Sequence, residues 1–185
     1  MSKQALVVID LQNDYFPGGK FTLVGTDGAA DNAAKLVAAF RARKAPVIHV
    51  RHESLEPDAP FFSPGSPGAE IHAKVKNKGD EPVITKNQIN AFQNTDLKRV
   101  LDGQGITDLV IVGAMSHMCV DGVTRAAVDF GYAATVIHDA CATLDTEFNG
   151  VKVPAAQVHA AFMRGIADGY CAVKSADEFL AESKG

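Results

Sequence analysis

Five short apolar runs punctuate the chain: ALVVID (5–10), PVIHV (46–50), PVITK (82–86), LVIVG (109–113) and ATVIH (134–138), with a weaker sixth at CAVK (171–174). They are rich in β-branched residues and do not alternate apolar with polar, the pattern of strands buried on both faces of a parallel sheet. Segments of helical period lie between them. Ala33, Leu36, Val37 and Phe40 share a face within 30–43, and Leu97, Val100 and Leu101 do so within 94–102, where Asn94 or Thr95 can cap. After Cys119, the residues Val120, Val123, Ala127 and Phe130 line up, and Gly131 supplies a stop. Segment 154–168 opens on Pro154 and turns Val158, Phe162 and Ile166 inward, and a short last helix is expected over 176–183. This alternation predicts an α/β protein: a three-layer α/β/α sandwich around a mostly parallel, Rossmann-like sheet of five to six strands with right-handed crossovers.

The stretch 52–80 breaks the rhythm. It is rich in proline and glycine, has little periodicity and carries Phe61 and Phe62. A connection of this length in a compact domain is usually functional, so it reads as a lid or a subunit contact. The 185 residues suit one domain over 1–185, able to bury roughly 70% of the unfolded surface. A net charge of −4 makes no case for nucleic acid or an anionic membrane. No apolar run reaches the roughly 20 residues of a membrane span, and the opening MSKQALVVIDL lacks a signal peptide's long apolar region. Cys119, Cys141 and Cys171 are an odd set without CxxC spacing. That argues against a disulfide framework or a zinc ribbon and for a cytoplasmic protein. Cys141 and Cys171 lie among small and apolar neighbours and read as core.

Three apolar strands finish on polar residues: Asp10 after the first, Lys86 after the third, and Cys119 beyond the short turn that follows the fourth. Parallel strands end on one edge of their sheet, the edge where open α/β sheets bind ligands. An acid, an ammonium and a thiol would therefore meet in one crevice. The acid can take the thiol proton, and the ammonium can stabilise either anion. Placement at a helix N-terminus predicts a lowered pKa for Cys119.

Five blocks carry a resemblance: VVIDLQNDYF at the start, GSPGAEIH (65–72), VITKNQINAF (83–92), GAMSHMCVDGVTRAAVDFGY (113–132) and IHDACAT (137–143). In this order they make the chain similar to the isochorismatase-like cysteine hydrolases, whose members include nicotinamidases, N-carbamoylsarcosine amidohydrolase and ureidoacrylate hydrolases. The resemblance implies a catalytic triad of Asp10, Lys86 and Cys119. The cysteine would attack a small amide, ureido or carbamoyl group and form a thioester. It also implies a cis peptide bond between Ala114 and Met115, with the N–H groups of Met115 and Cys119 forming an oxyanion hole. Members usually assemble as homodimers or homotetramers. The branch that gives the family its name cleaves a vinyl ether without needing the cysteine, so that reaction, or a catalytically inactive binding or assembly role, is the alternative.

Nicotinamidases of this family hold a metal through an Asp-x-His pair after the second strand. Here that strand continues IHVRHES, which puts His52 and Ser54 at those positions, with Phe61 near the site of a further ligand. His49 and His52 are three apart on a strand and point to opposite faces, a poor arrangement for chelation. No metal and no other cofactor is therefore expected, and nicotinamide loses its anchor as a substrate. Tyr15, Phe16, His52, Phe92 and Met115 are candidates to line the substrate pocket. Gln12, Asn13 and Asp14 follow Asp10 and can order its loop. His117, two residues before the thiol, reads as a loop or rim residue.

Overall fold

The structure, a computed structural model, describes residues 3–56 and 58–182. Its centre is a six-stranded sheet of β1 (Gln4–Ile9), β2 (Val47–His52), β3 (Val83–Lys86), β4 (Asp108–Ala114), β5 (Ala133–Ala142) and β8 (Ala172–Lys174). They lie in the order β3-β2-β1-β4-β5-β8, and every neighbouring pair is parallel. The helices are α1 (Thr26–Ala42), α2 (Leu97–Gly103), α3 (Cys119–Asp129), α4 (Ala155–Gly169) and α5 (Ala176–Glu182). Ser183, the last residue of the expected final helix, lies outside the described residues.

Two cores sit on the two faces of the sheet, and β1 shows why its sequence is apolar throughout. Leu6 and Val8 join Leu36 and Phe40 of α1 and Phe179 of α5 on one side. Ala5, Val7 and Ile9 face Leu97 and Leu101 of α2, Val120 and Val123 of α3, and Ile166 of α4 on the other. A strand with a hydrophobic layer on each face has no solvent side to mark with polar residues. Among the described residues, no helix is long and apolar enough to cross a membrane.

Helix α1 begins at Thr26, before the apolar period starts, because its first turn is polar, with Asp27 favourably placed at the positive helix end. The antiparallel pair β6 (Thr146–Phe148) and β7 (Val151–Val153) was not expected from the apolar pattern. Its two-residue turn is Asn149-Gly150, both at positive φ, the turn chemistry a hairpin of this kind requires.

The strand order reverses direction between β1 and β4, which makes their carboxyl ends the topological switch point of the sheet. Gly113 sits there with φ 127°, paired with Ile9. A Cβ at this position would lie 1.9 Å from the Ile9 carbonyl oxygen. The backbones of β1 and β4 can close on each other only through a glycine.

The connection from β2 to β3 folds back over the residues that follow β1. Phe62 N–H donates to Asp14 Oδ2 at 2.7 Å, Asn13 Nδ2 donates to the Pro67 carbonyl at 2.7 Å, and Gln12 Nε2 donates to the Ala69 carbonyl at 2.8 Å. Gly68 lies directly on Asp14, whose Oδ1 would be 2.2 Å from a Cβ there. At its far end this connection delivers Glu81, which binds Arg41 through both carboxylate oxygens at 2.7 Å and His49 Nε2 at 3.1 Å. Burial alone would raise the Glu81 pKa. Arg41, the Lys78 N–H and His49 outweigh it and hold the carboxyl down at about 2.

Two stability predictions follow from these contacts. Gly113→Ala forces β1 and β4 apart and should destabilise the protein by about 3 kcal/mol, read from chemical denaturation. Glu81 has a folded-state pKa below its unfolded value, so its contribution is present above about pH 4.5 and is lost as pH falls toward 2. The stability gap between wild type and Glu81→Gln should therefore shrink across that window; a constant gap would contradict the assignment.

Candidate active site

Asp10 is the first residue past β1. Its backbone is left-handed, with φ 49°, a conformation aspartate tolerates better than most residues. Its side chain is fully buried. Lys86 closes β3, two strands away, and is also fully buried. Strands in register are about 4.8 Å apart, so only a long side chain spans β2 to reach Asp10. Cys119 opens α3 after the turn that leaves β4, and only 4% of it is exposed.

The three groups meet. Lys86 Nζ lies 2.8 Å from Asp10 Oδ2 and 3.2 Å from Cys119 Sγ. It also donates to the Gln88 carbonyl at 3.1 Å and lies 2.9 Å from His52 Nδ1. The Asp10–Lys86 contact is thus a fully buried, charge-assisted pair. Burial alone would lower the Lys86 pKa, but the Asp10 carboxylate and the contacts with Asp10 and Cys119 reverse the effect and keep the ammonium charged.

Cys119 behaves differently from the sequence expectation. Burial and the adjacent Asp10 carboxylate push its thiol up to about 12, with Lys86 opposing them. A helix N-terminus stabilises an anion by about 0.3–1 kcal/mol, whereas stripping water from a charge costs several. The resting group is a neutral thiol beside an Asp–Lys ion pair. Cys141 and Cys171 are likewise raised, to about 12 and about 11, by their own burial.

The peptide bond between Ala114 and Met115 is cis. In the turn that follows, the N–H groups of Ser116, Met118 and Val120 find carbonyl partners, whereas those of Met115, His117 and Cys119 have none among the described residues. The turn is tied from behind. Ser116 Oγ lies 2.8 Å from His159 Nδ1, and His117 Nδ1 lies 2.7 Å from Thr143 Oγ1. Sequence reasoning missed Ser116, Thr143 and His159 as supports because they come from three separate elements.

The pocket candidates separate. His52 and Tyr15 belong to the cluster: His52 contacts Lys86, and the buried Tyr15 hydroxyl is held neutral by burial and by the charge of Asp10. Tyr15 also packs against Phe61 and Phe62 of the β2–β3 connection. Met115 is buried in the turn itself. Phe16 instead stacks on His72, with ring centroids 3.6 Å apart. Phe92 is not brought to the thiol. It packs on Phe130 and Tyr132, beyond the far end of α3, about 16 Å of helix rise from Cys119. Its position after an apolar strand suggested a pocket wall, but the loop carries it along α3 first.

Asp14 spends its carboxylate on backbone N–H groups of Lys20 and Phe62, the role of a loop anchor. Gln12 accepts from the His52 N–H at 2.7 Å and donates to the His52 carbonyl at 2.8 Å, fixing the end of β2. The donors for a nicotinamidase-type metal do not fit one. His52 Nδ1 is taken up by Lys86, and His49 is engaged by Glu81 about 10 Å back along β2. Among the described residues, no group of three His, Cys, Asp or Glu side chains could hold a metal ion.

Residues 4–167 match the model of the isochorismatase domain family. The chain is 47% identical to the uncharacterized isochorismatase family protein YddQ of Bacillus subtilis, over 95% of this chain and 98% of the relative. It superposes with a TM-score of 0.94 on the crystal structure of an Oleispira antarctica protein assigned as an isochorismatase hydrolase, at 58% identity and 97% coverage of each chain. It is also 25% identical to the ureidoacrylate amidohydrolase RutB of Variovorax paradoxus, over 85% of this chain and 74% of the relative. With its six-stranded sheet, its domain match and these relatives, the chain belongs to the isochorismatase family of hydrolases.

Proposed function

We propose that this hydrolase is a cysteine amidohydrolase that cleaves the C–N bond of a small amide, ureido or carbamoyl compound through a thioester on Cys119. The observation that carries the reading is a neutral thiol in contact with a buried Asp10–Lys86 ion pair. Such a thiol is a poor nucleophile until its proton leaves, and the Asp10 carboxylate lies within its reach to receive it.

In the first step Sγ bonds to the substrate carbonyl carbon while the thiol proton passes to Asp10. The charge that collects on the carbonyl oxygen meets the unpaired N–H groups of Met115 and Cys119. Each such donor is worth about 3–4 kcal/mol at the transition state. Collapse of the tetrahedral adduct breaks the C–N bond, and Asp10 returns the proton to the departing nitrogen. Water then attacks the thioester and gives its proton to Asp10. The C–S bond breaks, the acid leaves, and the proton returns to sulfur. Lys86 stays an ammonium throughout and balances whichever neighbour is anionic. Tyr15, His52 and Met115 surround the reacting carbon, and the β2–β3 connection serves as the lid, packing Phe61 and Phe62 on Tyr15. The amide chemistry in the name of the RutB relative supports the choice of bond.

The test is a hydrolysis screen over small amides, ureides and carbamoyl compounds, with mass spectrometry of the quenched enzyme. A turned-over compound should leave an acyl adduct on the Cys119 peptide, and Cys119→Ala should lose about a thousandfold or more in kcat/KM. Turnover that survives Cys119→Ala but not Asp10→Asn would instead indicate a reaction begun by proton transfer from the acid, as a vinyl-ether hydrolase requires.

A further inference from the structure

The turn that carries the Met115 and Cys119 N–H groups is fastened at both ends and in the middle. The Met115 carbonyl accepts from the Met118 and Val120 N–H groups at 3.0 and 3.2 Å, which ties the backbone after Met115 to the start of α3. Ser116 comes next and is fully buried. Its N–H donates to the Ala142 carbonyl at the end of β5 at 2.9 Å, and its Oγ lies 3.3 Å from the same carbonyl. That second contact is long for a hydroxyl bond, which is usually about 2.7–2.8 Å. The strong partner of the hydroxyl is His159 Nδ1 of α4, at 2.8 Å.

His159 stands on a rigid support. It lies in the second turn of α4, above the buried side chains of Val158, Met163 and Ile166. The first N–H of that helix, from Ala155, donates to Asp145 Oδ1 at 2.8 Å and fixes where the helix begins. The ring lies 6.3 Å from that of His138 between centroids. Burial and the neighbouring His138 push its pKa down, so it is uncharged at neutral pH. A neutral imidazole nitrogen can accept or donate, and a hydroxyl can do either in return, so the contact with Ser116 holds in both tautomers. The ring thus fixes from behind the residue that follows Met115 and precedes Cys119 by three.

We propose that His159 is a positioning residue that, through Ser116, holds the Met115 and Cys119 N–H groups where the oxyanion forms. The inference rests on the thioester reading above and extends it to a side chain on a helix that contributes no reacting group. Oriented donors act only if they stand in place before the charge develops, and a displacement of about 1 Å can cost about a hundredfold in rate. Loss of the imidazole leaves the Ser116 hydroxyl with its long contact to Ala142 alone. The turn then loosens, while Asp10, Lys86 and the sulfur keep their own contacts.

Two reactions of the same thiol separate this role from a merely structural one, with mass spectrometry of the Cys119 peptide in the intact protein as the readout. Acetylation by p-nitrophenyl acetate forms the S–C bond, expels p-nitrophenolate and passes through an oxyanion. Methylation by methyl iodide forms an S–C bond and expels iodide, with no carbonyl and no oxyanion. His159→Ala should slow acetylation about tenfold at neutral pH and leave methylation within about twofold of wild type. His159→Asn, which puts an amide atom near the place of Nδ1, should bring acetylation back to within about threefold. Ser116→Ala should show the same selective loss, and the double variant with His159→Ala should lose little more than either alone. Unchanged acetylation in His159→Ala overturns the proposal, as does an equal fall in both reactions, which is the mark of general loosening. An additive loss in the double variant overturns it too. Asp10→Asn is the contrast and should slow both reactions, because both need the thiol proton removed. If it changes neither, the proton relay fails, and the acetylation-to-methylation ratio still decides the role of His159. A wild-type thiol that is methylated but never acetylated refutes the thioester reading and takes this inference with it.

Discussion

A fully buried lysine ammonium is the constraint on which the rest of the site depends. Removing such a charge from water costs several kcal/mol unless its surroundings replace the lost hydration. Here the replacement comes from the carboxylate of Asp10, the ring of His52, the carbonyl of Gln88 and the sulfur of Cys119. Two of the groups that satisfy Lys86, Asp10 and Cys119, are also the groups proposed to do the chemistry. Stability and function therefore draw on one set of contacts, and a substitution at any of them alters the electrostatics of the others.

The sheet order makes this assembly possible. Lys86, His52, Asp10 and the turn leading to Cys119 stand at the ends of β3, β2, β1 and β4, four adjacent strands that all run the same way. The site spans the switch point, where β1 and β4 approach so closely that Gly113 cannot carry a side chain. On one flank, Ser116 and His117 tie the turn before Cys119 to α4 and to the end of β5. On the other, Gln12, Asn13 and Asp14 hold down the β2–β3 connection. Rigid elements thus fix each reacting group from behind, leaving little reorganisation for the reaction itself to drive.

Much of this was legible in the chain. A sheet buried on both faces writes itself as unbroken apolar runs, so five strands and their polar ends could be read directly, and with them Asp10, Lys86 and Cys119. What depended on pairing between distant segments could not be read. The contact between His52 and Lys86 exists because β2 and β3 align in one register, which neither segment states alone. Phe92 looked like a pocket wall because it follows a strand closely, but its loop runs along α3 before the ring finds Phe130. The β6–β7 hairpin escaped notice because its strands are three residues long and mostly exposed, although its Asn-Gly turn was a signal in plain view. The largest error concerned Cys119. A local argument from the helix end predicted a lowered pKa, but the burial and the Asp10 carboxylate that raise it come from the tertiary structure.

The neutral resting thiol is therefore the central claim, because it decides whether Asp10 must act as a base at all. The ultraviolet absorbance of a thiolate measures it directly, as the difference between wild type and Cys119→Ala titrated across pH. The account predicts no Cys119 thiolate from mildly acidic through mildly alkaline pH, with any signal rising only toward the limit of alkaline stability. A thiolate already formed at or below neutral pH would show that Lys86 and the helix end ionise the sulfur unaided, and would contradict it.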